Sequence, residues 1–202
     1  MTPITRSGRP GEPPRPSSAP PAQRLLDTAT ELVAAHDIRE VGIDRILAQA
    51  GVAKASLYSL YGSKDALVLA YLTALDQADR KRYDAAAALL ASLREQILLF
   101  FDLAVRTARQ RGYHGCPYIA AASGYRGGEL VPVTAHRRWM VTTFTRLLSQ
   151  AGVDAVSRRA GELQVLYDGA LAGSKVQKSV GPILRARRMA AQYIVTIDAH
   201  AP

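Results

Sequence analysis

The stretch AGVAKASLYSLYGSKDAL, Ala50 to Leu67, decides how the chain is read. Gly51 stands where an apolar helical pattern stops, as a glycine does when a helix ends in a left-handed residue. A short helix over Lys54 to Tyr61 follows. Gly62-Ser63 interrupts it, and Ser63 can cap a longer helix whose first turn carries Asp65. With Leu57 set inward, at about 100° per residue, Lys54, Leu60 and Tyr61 fall within about 60° of it. Ala55, Ser56, Tyr58 and Ser59 fall on the other side. The inner face is then mainly Leu57, Leu60 and the ring of Tyr61, and the outer face is small, rich in hydroxyls and free of acid. Two short helices meeting at a tight glycine turn have the outline of a helix-turn-helix, whose second helix enters the major groove. In that reading Ala55 lets the backbone approach closely, and Ser56 and Ser59 donate to bases or phosphates. The Tyr58 hydroxyl reaches a phosphate oxygen, and Lys64 pairs with another through its charge and its helix's first amides. The spacing by itself equally describes a tight corner in an all-α protein.

Outward from this stretch the pattern is helical. Leu25, Leu26, Ala29, Leu32 and Val33 recur with the 3.6-residue period, and Asp37 and Gly42 mark the break after them. A short helix from about Asp44 to Ala50 buries Ile46, Leu47 and Ala50. After Ser63 the long helix shows Leu67, Ala70, Tyr71, Ala74 and Leu75 on one face. Five more helices follow: one closing at Gly112, one opened by Pro117, one ending at Gly152, one capped by Asp154 and one opened by Pro182. Gly127-Gly128 marks a loop. No strand pattern and no internal repeat is present, so the fold class is all-α, with about nine helices.

Composition sets the limits. The 202 residues are 48% hydrophobic, as in soluble globular proteins, with no apolar run long enough to span a membrane and no signal-peptide core at the start. The lone Cys116 excludes an internal disulfide and suits the cytoplasm. The net charge of +9 favours a polyanion or an acidic ligand. Residues 116–202 hold most of the excess, with eleven Lys and Arg against five Asp and Glu, whereas residues 1–66 carry eight against seven. Charge therefore supports nucleic-acid binding only weakly, and the motif must carry it. Residues 1–21, rich in Pro, Ser, Gly and Arg, are expected to be disordered; Arg6, Arg9 and Arg15 could form an arm that follows phosphates.

The segment GIDRILAQAGVAKASLYSLYGSKDALVLAYL resembles the DNA-binding signature of the TetR family of bacterial transcriptional regulators. Gly51, Val52, Ser56, Leu57, Tyr58, Tyr61, Ser63, Lys64, Asp65 and Leu67 match it position by position. The resemblance implies a three-helix helix-turn-helix domain over residues 22–66. It implies a helical regulatory and dimerisation domain over 67–202. The DNA contacts it implies are Lys54, Ala55, Ser56, Tyr58, Ser59, Tyr61 and Lys64. Departures are Gly42 for a common Thr, Ala53 for a common Ser cap, Leu60 for a common His and Tyr61 for a common Phe. HGCPYIAAASGY and LYDGALAGSK look like segments of one subgroup. The implied protein is a cytoplasmic, nucleoid-bound homodimer of a bacterium that binds a double-stranded operator and answers to a small-molecule effector.

In the regulatory part, the larger side chains Tyr71, Phe100, Phe101, Tyr113, Tyr118, Trp139 and Phe144 are candidate pocket residues, and ordinary core packing accounts for each equally well. Arg137 and Arg138 could meet an acidic ligand or lie on a solvated face, and Cys116 could sense oxidants if its thiolate were stabilised. Val156, Ala160, Leu163, Tyr167, Ala170 and Ser174 form one stripe. Ile183, Ala190, Ile194 and Ile197 form a second. The two could build a four-helix interface across a two-fold axis, or face the subunit's own core.

Two rival readings have their own signatures. An enzyme finds little support: His36, His114, His136 and His200 lack metal-ligand spacing with carboxylates, and no nucleophile elbow, P-loop or dinucleotide fingerprint occurs. No cofactor is expected. The other rival is a dimeric small-molecule-binding protein of the same fold whose DNA binding is weak or lost, a reading that Gly42 and Ala53 keep open.

Overall fold

The computed structural model describes residues 19–35, 41–124 and 129–198. Arg6, Arg9, Arg15, His36, Asp37, Gly127, Gly128, His200 and the side chain of Ile197 lie outside the described residues. Among the described residues there are nine helices and no strand: α1 (Pro21–Ala35), α2 (Ile43–Ala50), α3 (Lys54–Tyr61), α4 (Lys64–Ala87), α5 (Leu93–Arg111), α6 (Pro117–Gly124), α7 (Val131–Gln150), α8 (Val156–Gln177) and α9 (Gly181–Asp198). The all-α architecture is the one the periodicity implies.

Local chemistry sets the helix ends. Gly51 closes α2 in the left-handed region, at φ 61° and ψ 41°, and the Val52 N–H reaches back to the Leu47 carbonyl at 3.1 Å. The Ser63 hydroxyl oxygen accepts from the Ala66 N–H at 3.0 Å and so caps α4; Ser92 does the same for α5. Ala53 occupies the cap position of α3 in extended conformation and offers no side-chain bond. Gly42 caps α2 equally bare. Asp154 does not cap α8: the cap position falls on Ala155, itself left-handed at φ 52°, which leaves Asp154 one residue short of it.

Two cores form. In the first, α1, α2, α3 and the start of α4 enclose Leu25, Ala29, Ile46, Leu47, Leu57, Leu67 and Leu72. Tyr118 and Ala121 of α6 and Val133 of α7 belong to the same cluster. The second core joins α5, α7, α8 and α9 to the far end of α4 through Tyr83. Its centre is aromatic: Tyr83 stacks on Phe100 at 4.3 Å and Phe144 tilts against Phe100 at 4.7 Å. A polar bridge ties α4 to α7. Asp76 accepts from Arg80 Nε at 2.9 Å and lies 2.9 Å from His136 Nδ1. Arg80 also donates to the Ala135 carbonyl at 3.0 Å. Asp76, Arg80 and His136 Nδ1 each find a partner in this largely buried bridge, which offsets the cost of their desolvation.

The stripes expected to meet a second copy point inward instead. Leu163, Ala170, Ser174, Ile183, Ala190 and Ile194 are buried inside the protomer, and Val156 packs against the same core. Tyr167 sets its ring edge-on to Phe101 at 5.5 Å. An apolar stripe is satisfied first by its nearest neighbour in the same chain, and here α8 and α9 are packed on each other and on α5 and α7. The outward face of α8 is different. Gly161, Val165, Gly169, Ala172 and Val176 fall within an arc of about 80°, and Val165 and Val176 are 72% and 83% exposed. A Cβ built on Gly161 or Gly169 would meet nothing within 4 Å.

Restoring a hydroxyl cap to α3 should stabilise the fold. Ala53→Ser is expected to add about 1 kcal/mol, read as a raised denaturation midpoint at unchanged slope.

Candidate nucleic-acid interface and ligand cavity

The corner between α2 and α3 is built from one inward anchor and two long-range ties. Leu57 is fully buried. The Tyr61 hydroxyl donates to the Ala22 carbonyl at 2.9 Å, which fixes α1 to the end of α3. Arg24 of α1 donates through Nε to the Ala50 carbonyl at 3.1 Å and through Nη2 to the Gly51 carbonyl at 3.3 Å, so it clamps the turn itself. Arg24 could not be found from periodicity, because its partners are backbone oxygens far along the chain.

The outer face of α3 is as open as the helical wheel implies. Lys54, Ala55, Tyr58 and Ser59 are exposed, and Ser56 is half-buried. Lys64 stands half-buried at the start of α4, beside the Ser63 cap. Leu60 departs from the expected inner face and is 47% exposed. The packed sector of α3 is centred between Leu57 and Tyr61, and Leu60 lies about 100° from Tyr61, beyond its edge. Tyr61 is turned inward by its bond to α1, so its expected DNA contact becomes one of holding the corner. The result is a short helix with small side chains, hydroxyls, two nearby lysines and no acid of its own, a surface able to lie against a phosphate backbone.

A cavity of about 390 Å³ opens between α4, α5, α6, α7 and α8. Of the expected pocket residues, Tyr71, Phe100, Tyr113, Tyr118 and Trp139 line it. Phe101 and Phe144 do not; both are fully buried in the second core. Tyr167, Ser174 and Ile183, expected at a dimer interface, line the cavity instead. Sequence reasoning missed its polar members Asp79, Arg82, Thr107, Lys175 and Lys178, and gave His114, His136 and Cys116 no place in it. Their partners lie on distant helices, and nothing in local spacing announces them.

The polar wall is a linked set. The Tyr118 hydroxyl donates to Asp79 at 2.9 Å, and the Tyr118 ring stacks on His136 at 3.7 Å and 11°. Burial raises the Asp79 carboxyl above its ordinary value, against the pull of the Tyr118 hydrogen bond. Burial lowers His136, against its bond to Asp76, and so disfavours the charged ring. Burial likewise pushes the Cys116 thiol up to about 11, which removes the thiolate an oxidant sensor would need. Arg137 is paired with Asp168 at 2.8 Å, and Arg138 is exposed. Among the described residues no group of His, Cys, Asp and Glu is placed to hold a metal ion, and no helix is long and apolar enough to cross a membrane.

The comparisons agree with this geometry. The family model for bacterial regulatory proteins of the tetR family matches residues 25–71. SCO4454, a TetR-family transcriptional regulator from Streptomyces coelicolor, is 32% identical over 88% of this chain and 94% of its own, with a TM-score of 0.73. Two more distant structures share the fold. The regulatory protein TetR from Rhodobacter sphaeroides is 21% identical over 85% of this chain and 97% of its own, with a TM-score of 0.75. A TetR transcriptional regulator from Chloroflexus aurantiacus is 22% identical over 87% and 94%, with a TM-score of 0.73. No curated protein matches the chain. A helix-turn-helix corner on α3, a helical body enclosing a cavity and a full-length relative at this identity place the chain in the TetR family of bacterial transcriptional regulators.

Proposed function

We propose that the protein is a ligand-responsive repressor that binds a near-palindromic operator as a homodimer in the bacterial cytoplasm and leaves it when a small molecule fills the cavity. Residues 22–66 serve as the DNA-binding domain and residues 67–202 as the regulatory and dimerisation domain. Lys54, Ala55, Ser56, Tyr58, Ser59 and Lys64 face the DNA, with Tyr61 and Arg24 holding the corner that presents them. The observation that carries this reading is the continuity of α4. Its first turn holds Lys64, and farther along it supplies Tyr71, Asp79 and Tyr83 to the cavity wall. An occupant that prefers one pose of α4 shifts the pair of recognition helices by its differential affinity for the two states. The chemistry of the chain is recognition rather than catalysis.

Selection of binding sites from random duplex DNA tests the reading. An enriched near-palindrome, with half-sites about one helical turn or somewhat more apart, is the expected result. Absence of enrichment at low salt would favour the alternative, a cavity protein of the same fold with lost DNA binding, to which the bare caps at Gly42 and Ala53 lend support.

Two substitutions probe the parts. Lys64→Ala should weaken binding to all sequences alike and lower the salt slope of log K by about 1; titrations at several salt concentrations read both. For the dimer, the smooth outward face of α8 replaces the buried stripe as the contact surface. Val165→Glu should shift the protein toward monomer in sedimentation equilibrium at unchanged helicity, because it places a charge where two such faces would close.

A further inference from the structure

The cavity is not chemically even. Its body is aromatic, with Tyr71, Tyr83, Phe100, Tyr113 and Trp139 in the lining. One wall carries an imidazole in a fixed state. The Asp76 carboxylate lies 2.9 Å from His136 Nδ1 and can only accept there, so Nδ1 carries the hydrogen and Nε2 is left as an acceptor. Tyr118 lies flat on the ring and holds its plane. Nε2 has no hydrogen-bond partner among the described residues, and His136 belongs to the cavity lining.

The charges of the lining point the same way. Among the described residues, Asp79 is the carboxylate that lines the cavity, and it is already engaged by the Tyr118 hydroxyl at 2.9 Å and by Arg82 at 3.4 Å. Against it stand the cations Arg82, Lys175 and Lys178. The wall thus offers an excess of positive charge and an imidazole acceptor, set beside flat apolar rings. A cationic ligand would meet a lining of net positive formal charge and a carboxylate already in use.

We infer that the effector is a flat aromatic molecule with one acidic oxygen, a phenol or an aromatic carboxylate, whose oxygen meets His136 Nε2 while its ring packs among the aromatic side chains. A phenol arrives neutral and donates its O–H to Nε2, with no proton exchanged with solvent. A carboxylate arrives ionised, and His136 takes one proton from solvent as it binds, so that Nε2–H donates to the carboxylate oxygen. The groups facing the ring are Asp76, Asp79 and Arg80 of α4 and Tyr118 of α6. The two carboxylates support the imidazolium, while burial and Arg80 oppose it. This inference rests on the reading of the chain as a ligand-responsive regulator.

Calorimetric titration of the full-length protein with three probes of one shape tests it: 2-naphthoate, 2-naphthol and 2-naphthylmethylammonium. At pH 7 the acid and the phenol should bind at least about tenfold more tightly than the cation. The heat of 2-naphthoate binding should vary with the ionisation enthalpy of the buffer, reporting net proton uptake, and that of 2-naphthol should not. Correspondingly, 2-naphthoate affinity should fall as pH rises, by up to about tenfold per unit for one proton taken up. His136→Gln should lose this dependence and bind 2-naphthoate at least about tenfold more weakly. Should that variant fail to fold by circular dichroism, the buffer dependence of the unaltered protein still decides. Preference for the cation, buffer-independent heat with 2-naphthoate, proton uptake that survives in folded His136→Gln, or no binding of any probe each overturns the inference. Binding of 2-naphthoate as described, with operator affinity unchanged, would leave the ligand class standing and sink the ligand-responsive reading.

Discussion

The long helix α4 begins in the helix-turn-helix unit and ends in the body of this protein, and that constraint organises everything else. Leu67, Tyr71 and Leu72 of α4 are packed in the core of the helix-turn-helix unit, while Tyr83 lies in the aromatic core of the body. Between them, Asp76, Asp79 and Arg80 carry the polar contacts to α6 and α7. Neither core can shift relative to the other without bending α4 or breaking that set. A close-packed interior resists gradual deformation and passes displacement on. The cavity is placed where such displacement would be felt, against the polar segment of the shared helix.

The corner that presents α3 was legible in the sequence because its determinants are local. A left-handed Gly51, a Ser63 cap and a single inward Leu57 all act within a few residues, so spacing alone reveals them. Leu60 was misplaced because a wheel gives the direction of a side chain but not the width of the surface it packs on. The clamp by Arg24 escaped notice for another reason: it joins α1 to backbone oxygens 26 and 27 residues away, and backbone acceptors leave no trace in composition.

The body of the protein was less legible, and for the same physical reason. The aromatic residues of the cavity could be named as a class, yet which of them would be lining and which would be filling depended on packing. Phe144 is sealed in the core, while Trp139, five residues earlier and about 140° around the helix, is turned toward the open space. The wall of Asp76, Asp79, Tyr118 and His136 unites residues 39 and 60 positions apart. On α8, periodicity located an apolar stripe correctly but could not say whether its partner was the same chain or a second one. Burial inside the protomer answers that for Leu163, Ala170 and Ser174, and directs attention to the glycines and valines on the opposite side.

Trp139 is the single tryptophan of the chain. It lines the cavity, meets the edge of Tyr83 at 5.6 Å and lies under the Arg80 guanidinium at 5.2 Å. Indole emission responds to neighbouring charge, to stacked rings and to the entry or exit of water. The protein therefore carries its own optical reporter, seated where the cavity and the shared helix meet. Its spectrum registers what occupies the space and how Arg80 is poised, in the unlabelled molecule and on the timescale of mixing.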